Sequence, residues 1–419
     1  MPHDSANRED GDPFGIGNRM RDILARLKGF LGLNTAMAAV MVMVVLIGLG
    51  EKMAERFLPL YLIALGGSTL SVGFLNGMDN LLSALYSFPG GYLSDRLGYR
   101  KALILFTLVA MLGYCIVILV PTWQAVLIGA VFFISWTALT LPAVMSLVSK
   151  VVDPDKRVMG VTLHSFVRRI PMALGPVLGG LAIAHWGRVE GVRIAFIAAL
   201  VLGAVAIAFV WFFVEERKAA KSEHVPLRLM LKLISPDLRN LLASDILIRF
   251  AEQIPYAFVV IWVVNSNGFT PLQFGLLTTI EMVTAMLVYV PVAYMADRYG
   301  KKPFVLMTFG FFTLFPLMLV FSRSFPMLIA AFIVRGLKEF GEPTRKALIM
   351  DLAPENAKAA TFGSYYFIRD IIVSLAAFSS GFLWNISPEV NFFVAFGFGV
   401  IGTIVFAVFG RDVSVRQGV

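Results

Sequence analysis

The sequence predicts an all-α membrane protein: twelve transmembrane helices in two pseudo-symmetric six-helix bundles. Three observations carry that expectation. Apolar residues (AVILMFWYC) make up 58% of the 419 residues and charged residues only 15%, with a mean hydropathy of +0.79. Soluble domains hold about 45–50% apolar and about 25% charged residues, and this chain has too little polar surface to cover a globule in water. Apolar runs long enough to cross a bilayer core of about 30 Å, roughly 20 residues at 1.5 Å each, recur along nearly the whole chain. Finally, one half of the sequence repeats the other.

Residues 1–32 are a polar segment ending in Met20, Ile23, Leu24, Leu27, Phe30 and Leu31 at helical spacing, flanked by Arg19, Arg21, Arg26 and Lys28. Such a basic amphipathic helix lies in the cytoplasmic headgroup plane. The first apolar run, 33–62, is too long and continuous for a removable signal peptide, so it is read as span one. Gly66-Gly67-Ser68 separates it from span two at 70–93, and a basic loop leads to span three at 102–120. Span four (124–148) follows Pro121-Thr122-Trp123, span five (160–184) follows Asp153-Pro154-Asp155, and span six (194–214) completes an N-terminal bundle of 33–214. A charged, Pro-interrupted linker, 215–238, carries an apolar stripe of Leu227, Met230, Leu231 and Ile234. The C-terminal bundle, 239–410, reads as spans at 240–264, 271–295, 303–321, 326–348, 360–384 and 391–410. Asn265 to Gly268, Ser322-Arg323-Ser324 and Asn385 to Asn391 mark turns within it, and 411–419 is a tail.

Most of the 36 Lys and Arg residues fall in the N-terminal segment, the even-to-odd connections and the tail; only Arg188, Arg193 and Arg323 lie in the opposite loops. Loops rich in Lys and Arg stay on the cytoplasmic side. Both termini are therefore expected in the cytoplasm, with the protein in the cell inner membrane. The net charge of +9 is then a topology signal, and no nucleic-acid partner is expected. One cysteine, Cys115, and four scattered histidines offer neither a disulfide nor a metal site. Without a GxxxxGK[ST], HExxH or GxSxG pattern, no ATP-driven pump, enzyme or cofactor is expected.

A shift of 202 residues places Gly73, Asp79, Pro89, Tyr92, Asp95, Arg96 and Gly98 on Gly275, Glu281, Pro291, Tyr294, Asp297, Arg298 and Gly300. A shift of 201 pairs Phe166-Val167-Arg168 with Phe367-Ile368-Arg369, and Gly180 with Gly381. Between spans two and three stands Gly-Gly-Tyr-Leu-Ser-Asp-Arg-Leu-Gly-Tyr-Arg-Lys (90–101), repeated as Ala-Tyr-Met-Ala-Asp-Arg-Tyr-Gly-Lys-Lys (293–302). With twelve spans in two repeats, this loop resembles the major facilitator superfamily over about residues 33–410, in the twelve-helix type of bacterial proton-coupled antiporters. The resemblance implies alternating access, with the halves rocking about a central site. It also implies a gating role for Gly91, Asp95, Arg96, Gly98 and Arg100, and for Asp297, Arg298 and Gly300. An Asp at this place can cap the following helix or pair with a basic neighbour, and Gly98 permits the turn.

Met172-Ala-Leu-Gly-Pro-Val-Leu-Gly-Gly180 resembles the family's antiporter pattern, Gly-Pro-x-x-Gly-Gly. Gly175, Gly179 and Gly180 let a neighbouring helix approach and Pro176 kinks the span. The resemblance points to proton-coupled export. One departure stands against it: span four of that class carries an arginine, whereas Ile134 to Leu141 carry no charge, and the charges appear in span ten from Arg335 to Arg345.

A charge at a helix centre costs about 2.5–3.5 kcal/mol on insertion scales unless it meets a cavity or partner. Spans three, four, six, nine and twelve carry none, and all but the fourth are the spans the family fold turns to lipid. Asp245, Arg249 and Glu252 recur at i, i+4, i+7, and Arg335, Glu339, Glu342 and Arg345 follow one helix face. Arg168, Arg169, Arg249, Glu252, Arg335, Glu339, Arg369 and Asp370 are expected near the midplane, in a central cavity or in proton coupling. Asp79 and Glu281, about 24 Å from the cytoplasmic Asp-Arg pairs, are expected in the outer third. Glu51, Lys52, Glu55 and Arg56 rim the outer mouth or serve the cavity. Acids and bases inside the spans balance, so mutual pairing is the default, and Glu252, Glu339 and Asp370 are the proton-carrier candidates. His164 is read as a packing or hydrogen-bonding residue.

The functional expectation is a monomeric secondary transporter in the lipid bilayer, exporting a small organic compound in exchange for protons. Uptake of an organic anion or a metal cation, and a non-transporting scaffold or sensor, are the rival readings.

Overall fold

The structure is a computed structural model, described over residues 35–134, 136–140, 144, 166–215, 234–354 and 358–411. The amphipathic stretch at 19–31, the linker stripe from Leu227 to Leu231, His164 and the Asp153-Pro154-Asp155 turn lie outside them.

All described elements are helical. In the first half they are α1 (Thr35–Glu55), α2 (Leu58–Ala64), α3 (Thr69–Leu97), α4 (Tyr99–Leu119), α5 (Trp123–Phe133), α6 (Arg169–Trp186) and α7 (Arg188–Phe213). In the second they are α8 (Pro236–Tyr256), α9 (Val259–Ile261) with a π turn at Trp262–Ser266, α10 (Pro271–Tyr299), α11 (Lys302–Phe321), α12 (Phe325–Leu337), α13 (Glu342–Leu352), α14 (Lys358–Ile386) and α15 (Pro388–Phe409). Among the described residues, seven helices are long and apolar enough to cross a membrane, and the bent pair of α8 with α9 and its π turn makes an eighth. The described parts of the other predicted spans are helical too.

The repeat is written into the backbone. Positive φ occurs at Gly66 and Gly268 (85° and 73°), and at Gly98 and Gly300 (86° and 88°), each pair 202 residues apart. A side chain would be strained at such angles, so these glycines fix the same turns in both halves. Ser68 and Thr270, also 202 apart, cap helices of 29 residues each, α3 and α10, by accepting a hydrogen bond from the backbone N–H three residues on.

Three predicted spans turn out to be broken. Span one parts after Glu55 and span seven after Tyr256, at matching positions of the repeat. Pro59 in the first turn of α2 and Pro255 at the end of α8 each lack the N–H that would continue the ladder. Span ten parts at Lys338–Gly341, ahead of Pro343, and the Gly341 N–H donates to Thr308 Oγ1 instead, at 2.5 Å. Periodicity runs unchanged through such breaks, which is why the sequence reads them as continuous.

Two helix pairs join the halves: α3 lies along α14, and α6 along α10. Small residues let these backbones meet. A Cβ added at Gly73 would stand 2.6 Å from the Gly381 nitrogen, and one at Gly180 would stand 2.8 Å from Leu272 Cα. These contacts lie toward the end of the bundle that carries the turns at Gly66, Gly187, Gly268 and Ser387. Helices α4, α7, α11 and α15 sit outside, presenting Leu108, Leu112, Val201, Phe212, Phe321, Ile401 and Val408. Their charges are confined to the ends, as bilayer contact requires.

Gly73→Val is expected to force α3 and α14 apart, lowering stability by about 1–3 kcal/mol through overpacking and lengthening the distance between spin labels at Leu70 and Phe382. Gly310→Ala, at a glycine with nothing within 4 Å of the added carbon, should change neither the thermal unfolding midpoint nor the spin-label distance.

Candidate functional site

Inside the C-terminal half the charges form one continuous chain. Asp245 is fully buried on α8. It accepts hydrogen bonds from Arg345 and from the Tyr365 hydroxyl (3.0 Å), with Arg369 at 3.5 Å and Arg249 at 3.8 Å. Glu342 holds Arg345 at 2.6 Å and Arg249 at 3.2 Å. One turn along α8, Glu252 stands between Arg249 (2.6 Å) and Lys338 (2.7 Å). Lys338 leads to Glu281 on α10, 3.7 Å away, which also takes Arg335 Nε at 3.2 Å. Arg369 closes the other end on Asp370 at 2.7 Å. The i, i+4, i+7 spacing on α8 puts three of these groups on one face, toward α12 and α14.

The N-terminal half is sparser. Lys52 is shared by Glu51 (3.0 Å) and Glu55. Arg56, at the break after α1, donates to the Tyr256 hydroxyl of the other half at 2.8 Å. Asp79 accepts only a long hydrogen bond, 3.5 Å, from Ser83. Arg168 lines a cavity with Glu51, Lys52, Trp136 and Met172, within this half. A second cavity opens between the halves, lined by Glu55, Arg56, Asn76, Asp79, Tyr256 and Arg335.

One ion pair joins the two sets: Arg169 Nη2 on α6 lies 2.8 Å from Glu339 Oε2, in the turn after α12. Arg335 and Lys338 face α8 and α10, while the break lets Glu339 face the opposite half.

Of the residues singled out from sequence, Arg249, Glu252, Arg335, Arg369 and Asp370 come together in the C-terminal network, and Arg169 and Glu339 meet across the halves. Glu281, expected in the outer third, belongs to the same network. Helix α10, at 29 residues, runs about 43 Å, longer than a core of about 30 Å. Counted from Pro271, Glu281 lies ten residues in, as Arg335 does from Phe325. Asp79 sits ten residues into α3, on the cavity between the halves. Asp245, Glu342 and Arg345, to which only the helical spacing of charges pointed, carry the network together with Lys338, which lies off that spacing. Tyr256 and Tyr365, which the sequence offers as aromatic cavity wall, also supply hydroxyls to Arg56 and Asp245.

The loop residues are less fully seen. Gly98 and Gly300 make the turns, Arg96 is exposed and donates to the Tyr92 hydroxyl at 3.3 Å, and Arg100 stacks 5.1 Å from the Trp211 ring. Gly91, Asp95, Asp297 and Arg298 lie outside the residues whose side chains are described. In α6, Gly175 and Gly179 meet Lys52 and Phe57 of the first span, Gly180 meets α10, and the backbone of Pro176 touches Gly275.

The sequence profile of the Major Facilitator Superfamily matches residues 40–250 and 241–418. An uncharacterized MFS-type transporter of Methanocaldococcus jannaschii is 22% identical over 359 residues, covering 82% of this chain and 87% of that protein. The nucleoside transporter NupG has the same fold at a TM-score of 0.77 and 12% identity, over 90% of this chain and 100% of that one. The peptide transporter POT in complex with sulfate matches at 0.74 and 14% identity, over 91% and 94%. A bacterial homolog of the human lysosomal transporter Spinster, inward-facing and unoccupied, matches at 0.70 and 12%, over 90% and 95%.

Asp245→Asn takes away the buried carboxylate shared by Arg345 and Arg369, leaving them only Glu342 and Asp370, and removing one partner of a buried pair costs about 3–5 kcal/mol. Its thermal unfolding in detergent is expected to fall accordingly, while Arg96→Gln, on an exposed side chain, should melt as the parent does.

Proposed function

This chain belongs to the Major Facilitator Superfamily and is a transporter, and from that premise we propose that it exports a small organic compound in exchange for protons. Three readings go with it: alternating access about the cavity between the halves, both termini in the cytoplasm, and a cell inner membrane location. The observation that carries the proposal is the Arg169–Glu339 pair. Of the ion pairs described, it alone links a cation of one half to an acid of the other inside the spans. It lies at the start of α6, eleven residues before Gly180 of the glycine-packed end.

Glu252 and Asp370 have partners in their own half, so protonating them rearranges one bundle. Protonating Glu339 instead removes the attraction between bundles and shifts the balance between the state that holds them together and the state that parts them. By the positive-inside reading the glycine-packed end is the outer one, so the described arrangement is closed outward. Glycines 175, 179 and 180 support the export direction, since each meets another helix where the family's antiporter pattern places small residues.

Purified protein in vesicles with an imposed pH gradient tests this, with a panel of small organic solutes. The parent is expected to drive solute against its gradient at the expense of the proton gradient. Glu339→Gln should keep gradient-independent exchange and lose proton-driven accumulation by ten-fold or more. Flux that ignores the pH gradient in the parent removes the antiport reading.

A further inference from the structure

Buried charges in this bundle come with partners, and two departures from that rule line the same cavity. Among the described residues inside the spans, Asp79 has no Lys, Arg or His within 4.0 Å, and Arg56 has no Asp or Glu within that distance. Arg56 satisfies one nitrogen on the Tyr256 hydroxyl, and its Nε is buried with no acceptor. Asp79 has the long Ser83 contact and nothing else. Both side chains are only partly buried and face the cavity between the halves. They form no ion pair with each other, and both line the one cavity.

The internal repeat explains why Asp79 is left alone. Its counterpart, 202 residues on, is Glu281, which is held by Arg335 and Lys338. The same shift carries Arg335 and Lys338 back to Phe133 and Trp136 of the first half. Phe133 packs among rings, 5.1 Å from Tyr114 and 5.5 Å from Phe196, and the Trp136 indole donates to Thr107. The acid was kept in both halves while the cations that neutralise it are present in only one. An unpartnered carboxylate at this depth is costly, and a protein that keeps one in a cavity has a charge for a ligand to meet.

We infer that the cavity between the halves binds a zwitterionic small molecule, its cationic group on Asp79 and its anionic group on Arg56. Tyr256 and Phe274 give the ligand's body aromatic surface, and Leu75, Ile134 and Val260 give it apolar wall. A singly charged solute satisfies one of the two groups and leaves the other desolvated, which a site built this way discriminates against. The inference names a substrate class for the transporter proposed above and rests on that reading for the cavity being the transport site. Its test is equilibrium binding without a proton gradient, so the two fail separately.

Purified protein is titrated calorimetrically with apolar L-amino acids and their dipeptides, each beside its amide, which keeps only the positive charge, and its N-acetyl form, which keeps only the negative one. At least one zwitterion is expected to bind roughly ten-fold or more tightly than both derivatives. Asp79→Asn should erase the advantage over the N-acetyl form, and Arg56→Gln the advantage over the amide. If no zwitterion binds, or the derivatives bind as well, the inference is overturned. A ligand-free measurement stands beside it. Asp79→Asn should melt no lower than the parent, because no partner is stranded, whereas Glu281→Gln, which strands Arg335, should melt lower. Equal losses in both would show that Asp79 has a structural partner and overturn the assignment.

Discussion

A charge inside a bilayer-spanning bundle must find either an opposite charge or water, and the internal organisation of this protein follows from that constraint. Within the described spans the N-terminal half carries one more base than acid: Lys52, Arg56, Arg168 and Arg169 against Glu51, Glu55 and Asp79. The C-terminal half balances six acids, Asp245, Glu252, Glu281, Glu339, Glu342 and Asp370, against six bases, Arg249, Arg335, Lys338, Arg345, Lys346 and Arg369. The Arg169–Glu339 pair crosses between them. The ionic contact between them sets a base of the half with the surplus cation against an acid of the other.

The two halves share a backbone plan and differ in what they do with it. Turn glycines, caps and helix breaks recur at matching positions, so the chain path is set by the same local chemistry twice. Side chains diverge most in the fourth span of each half. Where the second half places Arg335, Lys338 and Glu339, the first has Phe133, Trp136 and Thr137. The consequence is a division of labour. The C-terminal half is tied together by a ladder of ion pairs from Asp370 to Glu281, and the N-terminal half keeps open space beside its few charges.

Much of this was legible before any coordinates. Helix positions followed from apolar runs and turn residues, the outer helices from the family resemblance, with which the absence of charge in their interiors agrees, and the repeat from paired glycines and acids. The α8 stripe of Asp245, Arg249 and Glu252 was legible because helical spacing alone decides which side chains share a face. What the sequence hid has physical causes. The breaks at Arg56, Ala257 and Lys338–Gly341 leave hydrophobic periodicity intact, so only prolines nearby hinted at them. Partner choice was hidden as well: Glu339 is four residues from Arg335, yet the break in span ten sends it to Arg169, 170 residues away in the chain.

The two contacts that hold the halves differ in kind, and that difference gives the proposed cycle its logic. At the glycine-packed end, Gly73 against Gly381 and Gly180 against Leu272 rely on close backbone approach, and dispersion of this sort is forfeited over less than an ångström of separation. It does not depend on protonation. The Arg169–Glu339 attraction decays more slowly with distance and vanishes when the acid is neutralised. A proton on Glu339 therefore weakens the hold on one side of the cavity while leaving the steric seal on the other intact, until rocking breaks that seal as a unit. A solute bridging Asp79 of α3 and Arg56 of the first span ties together two elements of the same half, beside Tyr256 of the other. In the proposed cycle the solute acts on α3, which lies along α14, rather than on the ionic pair. In that cycle proton and solute act at separate contacts of one interface, and the interface is what couples them.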